Sequence, residues 1–229
     1  MILVPGEMTR RRECVNAFLP TMSWTRRPAP GTAHPTGDWT VLMDILVLHS
    51  SRFGHTTSIA GRVAEHLQQA GHHCDLGPLE RNTMVDPQQH GAVVVGASVR
   101  YGHFTRAVWH FARRNAERLS GMPSAFFGVN LVATKPGKDQ VDTNAYTRKF
   151  LERTPWEPTL REVFAGELDY PAYNPVDRFL IQQIMSRTGK PTDSSVHEVY
   201  TDWERVDRFS RDFAKVVARG YACGDVGTD

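Results

Sequence analysis

Cysteine is scarce: the 229-residue chain has three, Cys14, Cys74 and Cys223, far apart and odd in number. They form no CxxC and no Cys/His ligand spacing, which opposes a disulfide framework or a structural zinc and fits a reducing cytoplasm. The ten histidines are scattered, with no HExxH or similar pair, so no metal is expected. No run of about 18 apolar residues occurs, so no helix is expected to span a membrane. The N-terminus has arginines but no apolar h-region. Cys14 to Met22 is interrupted by Asn16 and Pro20, which argues against a signal peptide. An excess of one charge is also missing. Five of the 27 Lys and Arg and three of the 25 acidic residues precede Asp44, so the rest of the chain is balanced. A nucleic-acid interface needs basic residues clustered on one face, and none is expected here.

What is present suits one α/β domain with an appendage; a second full domain would be cramped. Apolar content of 40% and charged content of 23% are ordinary for a globular chain. Residues 1–42 are rich in Pro, Arg, Thr and Gly, lack periodicity and read as a disordered N-terminal extension. Met43, just ahead of the first strand, is an alternative start. A targeting arm is the other reading, which Glu7 and Glu13 oppose. The main domain is expected over 43–220, with a short tail at 221–229.

Ile45–Leu48 is a continuous apolar run, as a strand buried on both faces should be. Ile59, Ala60, Val63, Ala64 and Leu67 then recur at helical spacing up to Gly71. His72–Leu76 is a weaker strand, Ala92–Val95 a third and Ser124–Val129 a fourth. Phe104, Val108, Phe111, Ala112, Asn115 and Leu119 predict one helix ending at Gly121. Asn130–Asn144 reads as a long polar loop, Ala145–Arg153 as a short helix, and Val163–Leu168 as the last central strand. An apolar helix is expected at Val176–Met185. Trp203, Val206, Phe209, Phe213 and Val216 mark a closing amphipathic helix capped by Thr201 or Asp202. This alternation predicts a flavodoxin-like, doubly wound, five-stranded parallel sheet of order 2-1-3-4-5, with a long loop insertion after strand four. Its ligand crevice lies outside the carboxyl ends of strands one and three.

Three loops should line that crevice. Ser50, Ser51, Arg52, Phe53, Gly54, His55, Thr56 and Thr57 join the first strand to the first helix. Hydroxyls, a glycine and a helix N-terminus can bind a phosphate without a lysine. No Gly-Lys-Ser/Thr follows and no GxGxxG occurs, so a terminal phosphate fits better than a nucleoside triphosphate or a pyrophosphate. A plain N-cap at Thr56 or Thr57 is the bland alternative. Gly96, Ala97, Ser98, Val99, Arg100, Tyr101, Gly102 and His103 form the second loop; Gly128, Val129, Asn130 and Leu131 form the third. Tyr101 is a candidate wall for a flat ring, or a surface turn tyrosine. His103 is a helix cap or a proton shuttle, and Arg100 an ordinary ion-pair residue or a ligand contact.

The segment Gly96–His103 resembles the GAS-[IV]-RYGH stretch of the menaquinone-dependent protoporphyrinogen oxidase family of haem biosynthesis. Met122–Phe126 and Val129–Ala133 resemble the segments that follow it. Asn144–Leu151 is similar to the family's NSYARKFL run, and Tyr200–Glu204 to its YTDWE. The resemblance covers roughly Met43 to Gly220. It implies FMN held by Ser50–Thr56, Ala97–Gly102 and Val129–Leu131. It implies removal of six electrons and six protons from protoporphyrinogen IX, two electrons at a time, with transfer to menaquinone or ubiquinone. Phe53 and His55 depart from the polar residues usual at those positions. No residue stands out as an obligatory base.

Lys135, Lys138, Arg148 and Lys149 either pair with the porphyrin propionates or form a solvated charge run. A lipid-soluble acceptor implies peripheral contact with the cytoplasmic face of a membrane. Val176, Phe179, Leu180, Ile181, Ile184 and Met185 either make that contact or pack on the core. A homo-oligomer is compatible with the sequence. Two other activities suit the same scaffold: a flavodoxin-type electron carrier and an NAD(P)H:quinone reductase.

Overall fold

The computed structural model describes residues 42–171 and 197–222, with positions 175, 179, 181, 182 and 193 between them. The expected N-terminal extension, the tail from 223 onward and most of the Val176–Met185 helix lie outside the described residues. Strands β1 (Asp44–Ser50), β2 (His73–Pro78), β3 (Ala92–Ser98), β4 (Ser124–Asn130) and β5 (Leu160–Ala165) form one parallel sheet of order β2-β1-β3-β4-β5. The central strands β3 and β4 are buried almost throughout, which explains their unbroken apolar sequence.

Helices cover both faces. On one, α1 (His55–Gln69) and the closing helix α5 (Trp203–Ala222) bury Ile59, Val63, Leu67, Val206, Phe209, Phe213 and Val217 against Ile45, Val47 and Phe127. On the other, α2 (Arg106–Arg114), α3 (Ala116–Ser120) and α4 (Ala145–Arg153) enclose Phe104, Phe111, Phe126, Phe150 and Trp156. A Cβ on Gly96 would come 2.1 Å from the Phe127 ring, so this glycine makes room for core packing. Asp202 caps α5 by accepting from the Arg205 N–H at 3.0 Å.

Two expectations need correction. The single helix over Phe104–Leu119 is two helices that meet at Asn115. The Asn115 side chain is wholly buried. It accepts from Val85 N at 2.9 Å and donates to Phe111 O and Thr83 O, drawing the 83–85 segment onto the helix junction. The last central strand is not Val163–Leu168. It starts earlier, at Leu160, because an edge strand buries only part of its length and Arg161 and Glu162 hide it from an apolar-run criterion. It ends at Ala165. Leu168 belongs to β6 (Glu167–Asp169), which pairs antiparallel with β7 (His197–Val199) in a separate two-stranded sheet.

Candidate functional site

The carboxyl ends of β1, β3 and β4 converge as the strand order requires. At the end of β1, Gly54 adopts φ +96°, a left-handed conformation that costs an L-residue strain, and its carbonyl accepts the first helical bond of α1, from Ser58 N at 3.0 Å. The N–H groups of the first turn lack intrahelical acceptors and carry the positive end of the helix dipole. The hydroxyls are largely occupied in shaping the loop. Ser51 Oγ accepts from Gly54 N at 3.2 Å, Ser50 Oγ meets Thr105 Oγ1 at 3.0 Å, and Ser98 Oγ donates to Ser50 O at 3.1 Å. Thr56 is buried, and Thr57 Oγ1 lies 3.2 Å from His49 Nδ1. Burial pushes His49 below the usual histidine range. The donors this loop leaves for a ligand are therefore mainly backbone N–H groups, with side chains as scaffolding.

The second loop rises beside the first. Arg100 and His103 exchange backbone hydrogen bonds at 2.9 and 3.1 Å, which forces Tyr101 to φ +50° and Gly102 to φ +81°. Tyr101 is 56% exposed and Phe53 38% exposed, and the Arg100 guanidinium lies 4.6 Å from the first ring centroid and 6.0 Å from the second. Arg52 lies 5.6 Å from the Phe53 ring. Two exposed aromatic rings bridged by a guanidinium thus stand over the mouth of the loop, a surface that suits a flat conjugated ring. His103 Nδ1 is turned to Tyr101 O at 3.0 Å, so its imidazole supports this turn.

The third loop is braced through side chains. Asn130 Oδ1 accepts from Ala133 N at 3.0 Å and from Asn144 Nδ2 at 3.1 Å, and both amides are buried. Asn144 also donates to Lys138 O at 2.9 Å and caps α4 by accepting from Thr147 N. Asn130 thus offers a ligand its backbone more readily than its amide, while Val129 is buried and Leu131 partly exposed. Arg205 fastens the far side of the loop. It donates to the Asp139 carboxylate at 3.0 Å, to Asp139 O at 2.7 Å and to Glu162 at 2.6 Å.

The four basic residues proposed for substrate are all exposed, and they separate. Lys135 lines a cavity of about 470 Å³ with Ala133, Gly137, Phe164, Tyr200 and Arg205. Arg148 lines a different cavity of about 350 Å³ with Leu151, Trp156 and Arg161, and is held by Asp142 O and Glu152. Lys138 and Lys149 line neither. Tyr200 is pushed up to about 12 by burial and by its 2.5 Å hydrogen bond to Glu198.

His55 does not point into the loop. Its Nδ1 lies 3.2 Å from Glu167 and its Nε2 2.6 Å from Thr201 Oγ1. Thr105, Asn144, Glu167, Thr201 and Arg205 were all missed as site residues in the sequence. Thr201 was marked only as a helix cap, and each of the others is one polar residue with a distant partner. Among the described residues no group of three or more His, Cys, Asp or Glu could hold a metal ion, and no helix is long and apolar enough to cross a membrane. Of the apolar helix singled out for membrane contact, Phe179 is 60% exposed, whereas Ile181 packs against Leu168 and Tyr170; Val176, Leu180, Ile184 and Met185 lie outside the described residues.

A model of the flavodoxin domain family matches residues 46–195. The protoporphyrinogen IX dehydrogenase [quinone] of Escherichia coli K12 is 44% identical over 172 residues, covering 75% of this chain and 95% of that protein. The protein of the same name from Leishmania major is 46% identical over 170 residues, 74% of each chain. Among solved structures, oxidised flavodoxin 1 of Bacillus cereus aligns over 75% of this chain and 97% of its own, at 13% identity and a TM-score of 0.43.

Proposed function

The chain belongs to the flavodoxin domain family, and within it we propose that it is an FMN-dependent oxidoreductase that oxidises protoporphyrinogen IX and delivers the electrons to a quinone, menaquinone or ubiquinone. The observation that carries this reading is the 44–46% identity to proteins named protoporphyrinogen IX dehydrogenase [quinone]. The site fits FMN on its own terms. Gly54 at φ +96° brings backbone close to the α1 N-terminus, which suits one phosphate, and the exposed Tyr101 and Phe53 rings suit a planar group. When bound, FMN supplies two-electron acceptor chemistry.

The chain's own groups hold and orient. The N–H groups of the first turn of α1 bind the phosphate, while Ser50, Ser51 and Ser98 keep that loop in shape. Tyr101 and Arg100 would wall a flavin ring, and the backbone of the loops at 97–102 and 129–131 would supply its polar contacts. The substrate is a dianion through its two propionates. Lys135, which lines the 470 Å³ cavity on the braced loop, is the best placed of the four cations for it. Arg148 is already engaged by Asp142 and Glu152. The quinone is lipid-soluble, so the protein visits a membrane surface.

Purified protein given anaerobically prepared protoporphyrinogen IX and menaquinone should develop porphyrin fluorescence, and none without quinone. In a parallel assay, NADPH should not drive quinone reduction. NADPH-driven reduction without porphyrin formation would reject this reading in favour of a quinone reductase.

A further inference from the structure

His55 is the first residue of α1, immediately after Gly54. Its Nε2 lies 2.6 Å from Thr201 Oγ1, and the Thr201 hydroxyl donates its one hydrogen to Ala165 O at 2.7 Å. Thr201 can therefore only accept from His55. The Nδ1 lies 3.2 Å from Glu167 Oε2, and a carboxylate also only accepts. Both ring nitrogens face acceptors. A neutral imidazole carries one N–H and satisfies one of them; the imidazolium satisfies both.

We propose that His55 is a positioning residue for the flavin phosphate: protonated, its ring joins the phosphate loop to the β6–β7 hairpin and strengthens phosphate binding as pH falls. The inference rests on the FMN reading above. The groups facing the ring come from four elements. Glu167 on β6 favours the proton. His197 on β7, 3.4 Å from the same carboxylate oxygen, competes for it. Thr201 accepts from the ring, and Trp203 of α5 closes it off with an edge contact at 6.0 Å. The dipole of α1 opposes a cation at this end. Burial is the largest influence and lowers the ring's affinity for a proton, with Glu167 pulling it back and His197 opposing. The balance leaves it below an ordinary histidine.

An anion at the N-terminus of α1 offsets the dipole and attracts the imidazolium. Flavin phosphate and proton then bind with mutual reinforcement, each raising the affinity for the other by the same factor. The sign follows: flavin raises the His55 pKa, so the extra affinity is present at acid pH and is lost as pH rises through the flavin-bound value.

FMN binding to flavin-stripped protein, followed by quenching of flavin fluorescence, tests this from about pH 5.5 to 8.5 in the parent, His55→Gln and Glu167→Gln, a range that brackets an ordinary histidine. Protonation of the FMN phosphate itself affects all three alike, so the ratio of Kd values is read. The ratio of His55→Gln to parent should grow roughly fivefold toward acid, the low end of measured couplings. Glu167→Gln should move the transition to lower pH, and riboflavin, which lacks the phosphate, should show no such growth. Proton NMR of His55 in the parent should give a higher pKa with FMN than without. A Kd ratio constant across pH, or a His55 pKa indifferent to FMN, overturns the inference and leaves the cofactor reading standing. Failure of the parent to bind FMN at any pH overturns both.

Discussion

The loops after β1 and β4 leave the same carboxyl edge of the sheet and are built on opposite plans. The first, at 50–57, holds its form with a left-handed glycine and short hydroxyl bonds, and offers backbone N–H groups to a ligand. The second, at 131–144, is fastened by long side chains: the Asn130–Asn144 amide pair on one side and the Arg205–Asp139–Glu162 cluster on the other. The groups the first loop offers a ligand are backbone and adjacent in sequence, although Ser98 and Thr105 help to shape it from 48 and 55 positions away. A braced loop draws on partners as far as 66 positions away. On the proposed function, the first plan suits a cofactor that stays, and the second a substrate that must be shaped for and released.

The largest effect should come from Gly54→Val. Its Cβ would meet nothing within 4 Å, so the cost is conformational, about 1–3 kcal/mol for holding an L-residue in that region. The loop can escape that strain by giving up its ligand-binding shape. A folded but colourless protein is expected, with flavin absorbance lost and far-UV circular dichroism retained. Full flavin content in this variant would move the phosphate site elsewhere.

Arg205→Ala should act on the other loop alone. It leaves Asp139 and Glu162 without their shared partner, a loss of about 1–3 kcal/mol. Amides at 135–142 should exchange faster, and KM for protoporphyrinogen should rise several-fold with flavin content unchanged. Loss of flavin in this variant would mean that the two loops are not independent.

This contrast also explains what could be read in advance. Ile45–Leu48, Ala92–Val95 and Ser124–Val129 announce buried parallel strands, and the tight turn from β1 into α1 is marked by Gly54. Phe209 and Phe213 mark the closing helix because one face of it is core. The start of β5 was hidden because Arg161 and Glu162 sit on an edge strand. The break at Asn115 was hidden because its polar partners, Thr83 and the Val85 N–H, lie 30 or more residues earlier. Lys135, Lys138, Arg148 and Lys149 look like one basic cluster along the chain, but Lys135 and Arg148 line separate cavities. His55 looked like a loop residue because adjacency in sequence says nothing of the direction of a side chain.

Acid should separate the two loops. Burial lowers His49 and His72, and His49 flanks the loop at 50–57. Between their folded values and the ordinary 6.5, the unfolded chain binds more protons, so stability of the flavin-free protein rises with pH through that window and is complete above it. Asp139 behaves oppositely. Burial pushes its carboxyl up, but its own backbone N–H and Arg205 outweigh that and hold it low. Its contribution is present above the ordinary carboxylate value of 3.8 and lost as pH falls further. In flavin-free protein, hydrogen exchange at 50–57 should quicken as pH falls below the ordinary histidine value of 6.5, while 135–142 holds until the carboxylate range. Simultaneous loosening of both would erase the distinction.

The smallest effect is expected from Asp207→Asn, which probes whether the seat of α1 on α5 matters to the loop at its start. Asp207 accepts from Arg62 at 2.8 and 2.9 Å and meets His66 at 2.7 Å, tying the two helices together. Hydrogen bonding to Arg62 holds its carboxyl at about 2. Arg62 is 43% exposed, so water screens the pair and the loss of stability should be small. Tm should change little. The apolar contacts of Ile59, Val63 and Leu67 with Phe209 and Phe213 continue to hold α1 in place. FMN affinity should then stay within about twofold of the parent, a difference under 0.5 kcal/mol. A larger drop in FMN affinity at unchanged fold would mean that the first loop also depends on an ion pair outside it, as the second depends on Arg205, and the contrast between the two loops would be one of degree.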